Sequence, residues 1–255
     1  MKRYRAVAWL VLCLLTLPIR AESLPTLDSS IRIHLGAEDS WPPYSDTQGH
    51  GISTDLIKAA FAKSGLAPTF QVLPYARVLH DLASGKIDGG YNVTLQTTTK
   101  NKYIFGQVPL VAVESYWFFI PGTHLTIKSI DDIPDHFRVG IIRDYEYGDG
   151  YENHRHRFKE IKVSQQSQIF RMLMQGRIDA GLMFKDEASS TLQKMQLQPD
   201  LFDKRFLNHS GDVYLAFSHK SPRAHWLAQQ LDKGLLIMKA SGEYDRILSD
   251  TNKEP

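Results

Sequence analysis

A segment of 14 residues occurs twice in this chain, and that repetition limits the fold more than any other feature. Val78–Tyr91 reads VLHDLASGKIDGGY, and Ile169–Leu182 reads IFRMLMQGRIDAGL. Aligned without gaps, the copies share Leu82/Leu173, Gly85/Gly176, Ile87/Ile178, Asp88/Asp179 and Gly90/Gly181, at an offset of 91 residues. That offset is too long for a solenoid repeat and suits a small lobe. In each copy, apolar residues at Val78, Leu79 and Leu82, or at Ile169, Phe170 and Leu173, mark one face of a helix. A glycine that can adopt the left-handed conformation ends the helix, beside a basic residue favoured by the negative end of the helix dipole. A strand follows at once, Ile87–Val93 or Ile178–Phe184. Helix, short link and strand make the second half of a βαβ unit.

The elements upstream correspond as well. Ile31–Leu35 and Phe137–Ile141 read as strands followed by loops, and Thr69–Val72 and Ile161–Val163 as short strands before the repeated helices. Ile52–Ser64 supplies a helix in the first half, with Ser53 or Thr54 as cap and Gly65 as stop. Its counterpart starts near Gly148–Gly150. Each half is therefore strand, loop, helix, strand, helix, strand, which is an open α/β sheet. Two extended segments lie outside the repeat, Glu114–Pro121 and Asp212–Ser218. They are expected to cross between the halves as a two-strand hinge, with helices over Pro222–Ala240 and Glu243–Leu248 closing the chain. The expected division is residues 22–115 plus 214–255 in one lobe and 116–213 in the other.

The 255 residues begin with Lys2, Arg3 and Arg5, an apolar run from Ala6 to Ile19, and then Arg20-Ala21-Glu22. A basic start, a short apolar run and a small residue before polar sequence form a secretory signal peptide, residues 1–21, cleaved near Ala21. The run is shorter than the roughly 20 apolar residues a membrane span needs. Cleavage removes Lys2, Arg3, Arg5, Arg20 and the single cysteine, Cys13, so the formal charge falls from +2 to −2 over the remaining 234 residues. A mildly acidic, cysteine-free exported protein has no basic surface for nucleic acid and no cysteine-built metal site. The pair in His154-Arg155-His156 is spaced so that it does not share a helix face, which argues against a metal there. Neither a cofactor nor a metal is expected.

Five motifs in order resemble those of the family 3 extracellular solute-binding proteins: DSWPPY (Asp39–Tyr44), GISTDL (Gly51–Leu56), LASGKIDGG, TTTKNKYIFGQVPL (Thr97–Leu110) and GRIDAGLMFKD. The resemblance spans essentially the whole mature chain. It implies the two-lobed periplasmic-binding-protein type II fold, with two open α/β sheets joined by a two-strand hinge. It further implies a periplasmic monomer that captures an amino-acid-like solute by hinge closure and presents it to an ABC permease or a membrane receptor.

The cleft also follows from the topology, because open α/β sheets bind ligands beyond the carboxyl ends of their strands. Those ends bring together Trp41, Tyr44, Tyr75, Arg77, Thr94 and Lys100 from one half and Tyr145 and Asp186 from the other. Aromatic walls with a few opposed charges describe a pocket for a small zwitterion or other charged solute. The family places an aspartate at Asp186 that holds the ligand's ammonium; the same residue also reads as the N-cap of a helix starting at Glu187. Where the family usually has Thr-x-x-Arg to grip an α-carboxylate, this chain has Thr97-Thr98-Thr99-Lys100. Lysine presents a point charge rather than a planar fork, so Lys100 and Arg77 are alternative carboxylate partners, with Thr94 adding a hydroxyl. No nucleophile–base order, P-loop or HExxH pattern is present, which favours binding over catalysis. The alternatives are a periplasmic enzyme of dehydratase type on the same fold and a ligand-sensing adaptor for a membrane receptor.

Overall fold

The computed structural model describes residues 31–250, so the expected signal peptide lies outside the described residues. The first half runs β1 (Ile33–Glu38), α1 (Ile52–Ala62), β2 (Pro68–Leu73), α2 (Tyr75–Ser84) and β3 (Gly89–Thr94). A short β4 (Ile104–Phe105) and a long β5 (Val111–Phe119) follow. The second half repeats the order with β6 (Arg138–Ile142), α3 (Asp149–His154), β7 (Lys159–Val163), α4 (Gln166–Met174) and β8 (Ala180–Phe184). The chain then passes through α5 (Lys185–Lys194), β9 (Asp203–Phe217), α6 (Ala224–Ser241) and α7 (Glu243–Asp250).

Two parallel triplets, β2-β1-β3 and β7-β6-β8, carry the repeat. The strands expected to cross between the halves do so, but they also pair with each other. Antiparallel β5 and β9 run side by side from Val111↔Val213 to Phe119↔Asp203. The end of β9 pairs with β3, and the middle of β5 pairs with β8. One hydrogen-bonded path, β2-β1-β3-β9-β5-β8-β6-β7, therefore joins the two α/β sheets through the ribbon. α6 packs on α1 and adds the end of the chain to the first half.

The repeated residues have matching jobs. A Cβ on Gly90 would lie 2.5 Å from a Val78 methyl, and one on Gly181 would lie 2.5 Å from an Ile169 methyl. Each glycine lets its helix settle onto the strand below, the close backbone approach that no larger residue permits. Asp88 accepts a hydrogen bond from the backbone N–H of His34 at 3.0 Å, and Asp179 accepts one from that of Arg138 at 3.0 Å. Both aspartates thus tie the start of the last strand in a triplet to the start of the first. They are structural.

Two helix starts differ from expectation. α1 is capped at Gly51, and neither Ser53 nor Thr54 serves as its cap. Gly51 has φ of 132°, and a Cβ there would lie 2.5 Å from the Tyr44 carbonyl oxygen, so only glycine fits. Ser53 and Thr54 are instead buried in the first turn. Ser53 Oγ donates to Asn92 at 2.6 Å, and Thr54 Oγ1 shares a 2.6 Å hydrogen bond with the Tyr91 hydroxyl. α5 begins at Lys185 rather than Glu187, with Phe184 at its cap position, because β8 runs straight into it. Asp186 consequently lies inside the first turn, where its charge still suits the helix dipole.

Candidate functional site

The halves meet at the strand ends, where tyrosines of one reach carboxyls of the other. Tyr75 opens α2 directly after Pro74, whose fixed φ presets the helical entry. Its hydroxyl donates to Glu146 at 2.5 Å. In return, the Tyr145 hydroxyl donates to Glu38 at the end of β1 and stands 3.2 Å from Glu187 in α5. The two rings pack edge to face with centroids 5.1 Å apart. A paired turn, in which Trp41 and Ser45 exchange backbone hydrogen bonds, brings the Trp41 and Tyr44 rings together, tilted at 33° with centroids 4.6 Å apart. Trp41 meets Phe184 edge-on at 5.3 Å, and the Tyr44 hydroxyl donates to Asp186 at 2.7 Å.

Inside this contact is a gap lined by Glu38, Trp41, Tyr75, Asn92, Thr94, Tyr145, Glu146 and Phe184, with room for about one water molecule. Tyr145 and Glu146 also border a wider mouth of about 490 Å³ carrying His80, Lys102, Asp144, Glu152, Arg155 and Lys162. Asn92 reaches the gap through an irregularity in β3, where the register with β9 shifts and Asn92 adopts φ of 66°. Such bulges re-aim side chains beside sites. Here Asn92 donates to Ser45 and accepts from Ser53, so its side chain is held from both directions.

The electrostatics are unusual. Glu38, Glu146 and Glu187 are all buried. Burial pushes the Glu38 carboxyl up to about 8; the Tyr145 hydrogen bond pulls back in part, and the charges of Asp39 and Glu146 add to the rise. Burial pushes Glu146 up to about 8 as well, against the pull of its Tyr75 hydrogen bond. Glu187 lies well above the ordinary range through burial and then the nearby charge of Glu38. A carboxyl removed from water keeps its proton unless an opposite charge replaces it. Hydrogen bonding from Tyr145, from the Gln166 side-chain amide and from the Trp41 N–H opposes the rise at Glu187 in part.

Of the residues anticipated from sequence, Trp41, Tyr75, Thr94 and Tyr145 line the gap. Tyr44 and Asp186 meet at its outer side and border a separate groove with Ser189, Gln193 and Tyr244. Asp186 is exposed there, and its neighbour Glu187 is the acid that turns inward. Arg77 does not face the gap: it is about half exposed and pairs with Asp81 one turn along α2 at 3.0 Å. Lys100 is exposed too. Its turn instead bridges the halves through Thr97, whose N–H and hydroxyl both donate to Asp149, at 3.0 and 2.9 Å. Gln96 in the same turn accepts from the Gly148 N–H at 2.9 Å. Both positively charged candidates thus lie outside the gap, since each is long, solvated and already at the surface of its own half. Glu38, Glu146 and Glu187 were not anticipated. Their signal was adjacency, because each sits beside a strand-end residue already singled out.

Residues 33–251 match the bacterial extracellular solute-binding proteins, family 3. The chain belongs to this family. No curated protein matches it in sequence. Among solved structures it is similar to an ancestral arginine-binding protein bound to glutamine, with 24% identity over 88% of this chain and 98% of that one, and a TM-score of 0.71. It is also similar to an amino acid ABC transporter substrate-binding protein from Streptococcus pneumoniae bound to L-arginine, at 16% identity, 86% and 94% coverage and a TM-score of 0.69. A histidine kinase sensor domain with similarity to periplasmic binding proteins aligns at 18% identity over 88% and 98%, with a TM-score of 0.71. At these identities the likeness is one of fold. Family membership makes this chain a solute-binding protein of the two-lobed type II fold.

Proposed function

We propose that the chain is an exported, periplasmic capture protein whose lobes, residues 22–115 with 214–255 and residues 116–213, close by a hinge at β5 and β9 around one small charged solute. The observation that carries this reading is the set of hydrogen bonds crossing between the halves at the gap: Tyr75 to Glu146, Tyr145 to Glu38 and Tyr44 to Asp186. These contacts belong to different halves, so they form only on closure and bias the population between open and closed states. Trp41, Tyr75, Thr94 and Tyr145 supply the walls. The partner is an ABC permease, with a membrane receptor as the second reading, and the protein acts as a monomer without cofactor.

Binding rather than turnover is favoured because each gap carboxyl already has a tyrosine partner and no nucleophile stands beside it. The test is a thermal-shift screen of amino acids, polyamines and carboxylates, with small-angle scattering to follow closure. A solute present at a hundred times its dissociation constant should stabilise the fold by about 2.7 kcal/mol and reduce the radius of gyration. Absence of any shift, together with turnover of a prephenate-like substrate, would overturn the reading in favour of a dehydratase-type enzyme.

A further inference from the structure

The solute's own charge is written in the gap. Glu38 and Glu146 line it, one from each half, and Glu187 stands behind Tyr145, sharing that hydroxyl with Glu38. No lysine or arginine lines it. Glu187 is fully buried, with the Trp41 N–H and the Gln166 side-chain amide turned toward its carboxyl. Around these acids stand the rings of Trp41, Tyr75, Tyr145 and Phe184.

Resting on the solute-binding reading above, we propose that the captured solute is a small organic cation, an amine or guanidine, whose charged head is held between Glu38 and Glu146 within this aromatic box and which needs no carboxylate of its own. An ammonium or guanidinium offers several N–H donors to the two carboxylates in charge-assisted hydrogen bonds. Its hydrocarbon and its charge both suit aromatic faces. An anion would place a further negative group among three buried acids. A metal ion fits poorly, since among the described residues no group of three ligating side chains is arranged to hold one. A solute carboxylate would find few free cations. Arg77 is tied to Asp81, Arg155 to Glu152 and Glu160, and Lys162 to Glu160. Lys102 at the mouth faces Glu146.

Cation capture then exchanges with protons. The groups around Glu38 are Asp39, Glu146, Glu187 and Tyr145; those around Glu146 are Tyr75, Lys102 and Glu152. All but Lys102 are acidic or neutral, so the two carboxyls surrender their protons when the organic cation enters, and affinity rises with pH.

The deciding experiment is isothermal titration calorimetry of the mature chain at about pH 7.5 with two matched pairs, putrescine with ornithine and agmatine with arginine, plus glutamate and succinate. Within each pair the members differ by a carboxylate. In at least one pair the amine should bind within about threefold of its amino acid or more tightly, and the two dicarboxylates should not bind. E146Q keeps a hydrogen-bonding group opposite Tyr75, so it should retain its circular dichroism spectrum and lose at least about tenfold in amine affinity. Amino acids binding more than about threefold tighter than their amines in both pairs, or an anion binding best, overturns the cation assignment while leaving solute binding intact. An unchanged amine affinity in E146Q overturns it as well. Silence from all six compounds overturns it too, and the broader thermal-shift screen then judges the solute-binding reading separately.

Discussion

The two halves share a scaffold and differ at the surfaces they turn toward each other. In both, a helix rests on a glycine of the triplet's last strand, and an aspartate ties that strand to the first. The site residues break this symmetry. Where α2 starts with Pro74-Tyr75 and sends a hydroxyl across the gap, α4 starts with Gln165 and Gln168 in a reciprocal cap that closes on itself. β1 ends in buried Glu38, whereas its counterpart β6 ends in Ile142 and leads to Tyr145 and Glu146. The scaffold is common because backbone packing admits few solutions. The loops diverge because, in the proposed reading, each half supplies a different part of one asymmetric site.

The sharpest way to separate scaffold from site is pH. Glu38 and Glu146 ordinarily titrate near 4.5, and burial where the halves meet raises both to about 8. Groups raised in the folded state contribute stability that is full below about 4.5 and lost as pH rises through about 8. The ceiling is roughly 5 kcal/mol per group, so urea denaturation should show stability falling between these limits. The double variant E38Q/E146Q should reduce that slope, with Glu187, raised in the same way, supplying what remains, while D179N should leave it in place. A slope unchanged in the double variant would remove these acids from the closed contact.

The scaffold itself is tested by Gly90→Val and Gly181→Val. Each places methyls against Val78 or Ile169 and should cost about 3 kcal/mol by overpacking, with the two costs alike. A large inequality in chemical denaturation would break the equivalence of the halves. Next in size, Tyr75→Phe and Tyr145→Phe each leave a buried carboxyl without its cross-half donor, at about 1–3 kcal/mol. Small-angle scattering should show both variants shifted toward the open form; a compact closed profile would argue that these hydroxyls do not latch the halves. Smallest of all, Arg77→Ala and Lys100→Ala should alter stability by less than about 0.5 kcal/mol and leave solute affinity unchanged, because both side chains lie outside the gap. A marked loss of affinity in either would return a carboxylate partner to the site.

Much of the fold was legible because it rests on local periodicity. The repeated helix–glycine–strand pattern announces two α/β halves, and extended segments outside it announce the crossing strands. Helix starts were less legible: Gly51 caps α1 because of how closely the Tyr44 carbonyl approaches it, a contact made by residues seven positions apart that no cap preference encodes. The aromatic lining of the gap could be read from strand ends, since Trp41, Tyr75 and Tyr145 fall there in the sequence. Its charges could not. Charge is visible in a sequence, whereas burial is not, and the expected cations Arg77 and Lys100 had no local signature to mark them as solvated.

By itself, then, the amino-acid sequence determined the duplicated α/β scaffold, the hinge segments and the loops that approach one another, all of which follow from hydrophobic period and glycine placement along a single chain. Only the tertiary structure decided that Glu38, Glu146 and Glu187 turn inward while Asp186, Arg77 and Lys100 turn out. The physical reason is that a side chain's dielectric surroundings are set by the half that closes over it, and that half lies about a hundred residues away along the chain, as between Glu38 and Tyr145.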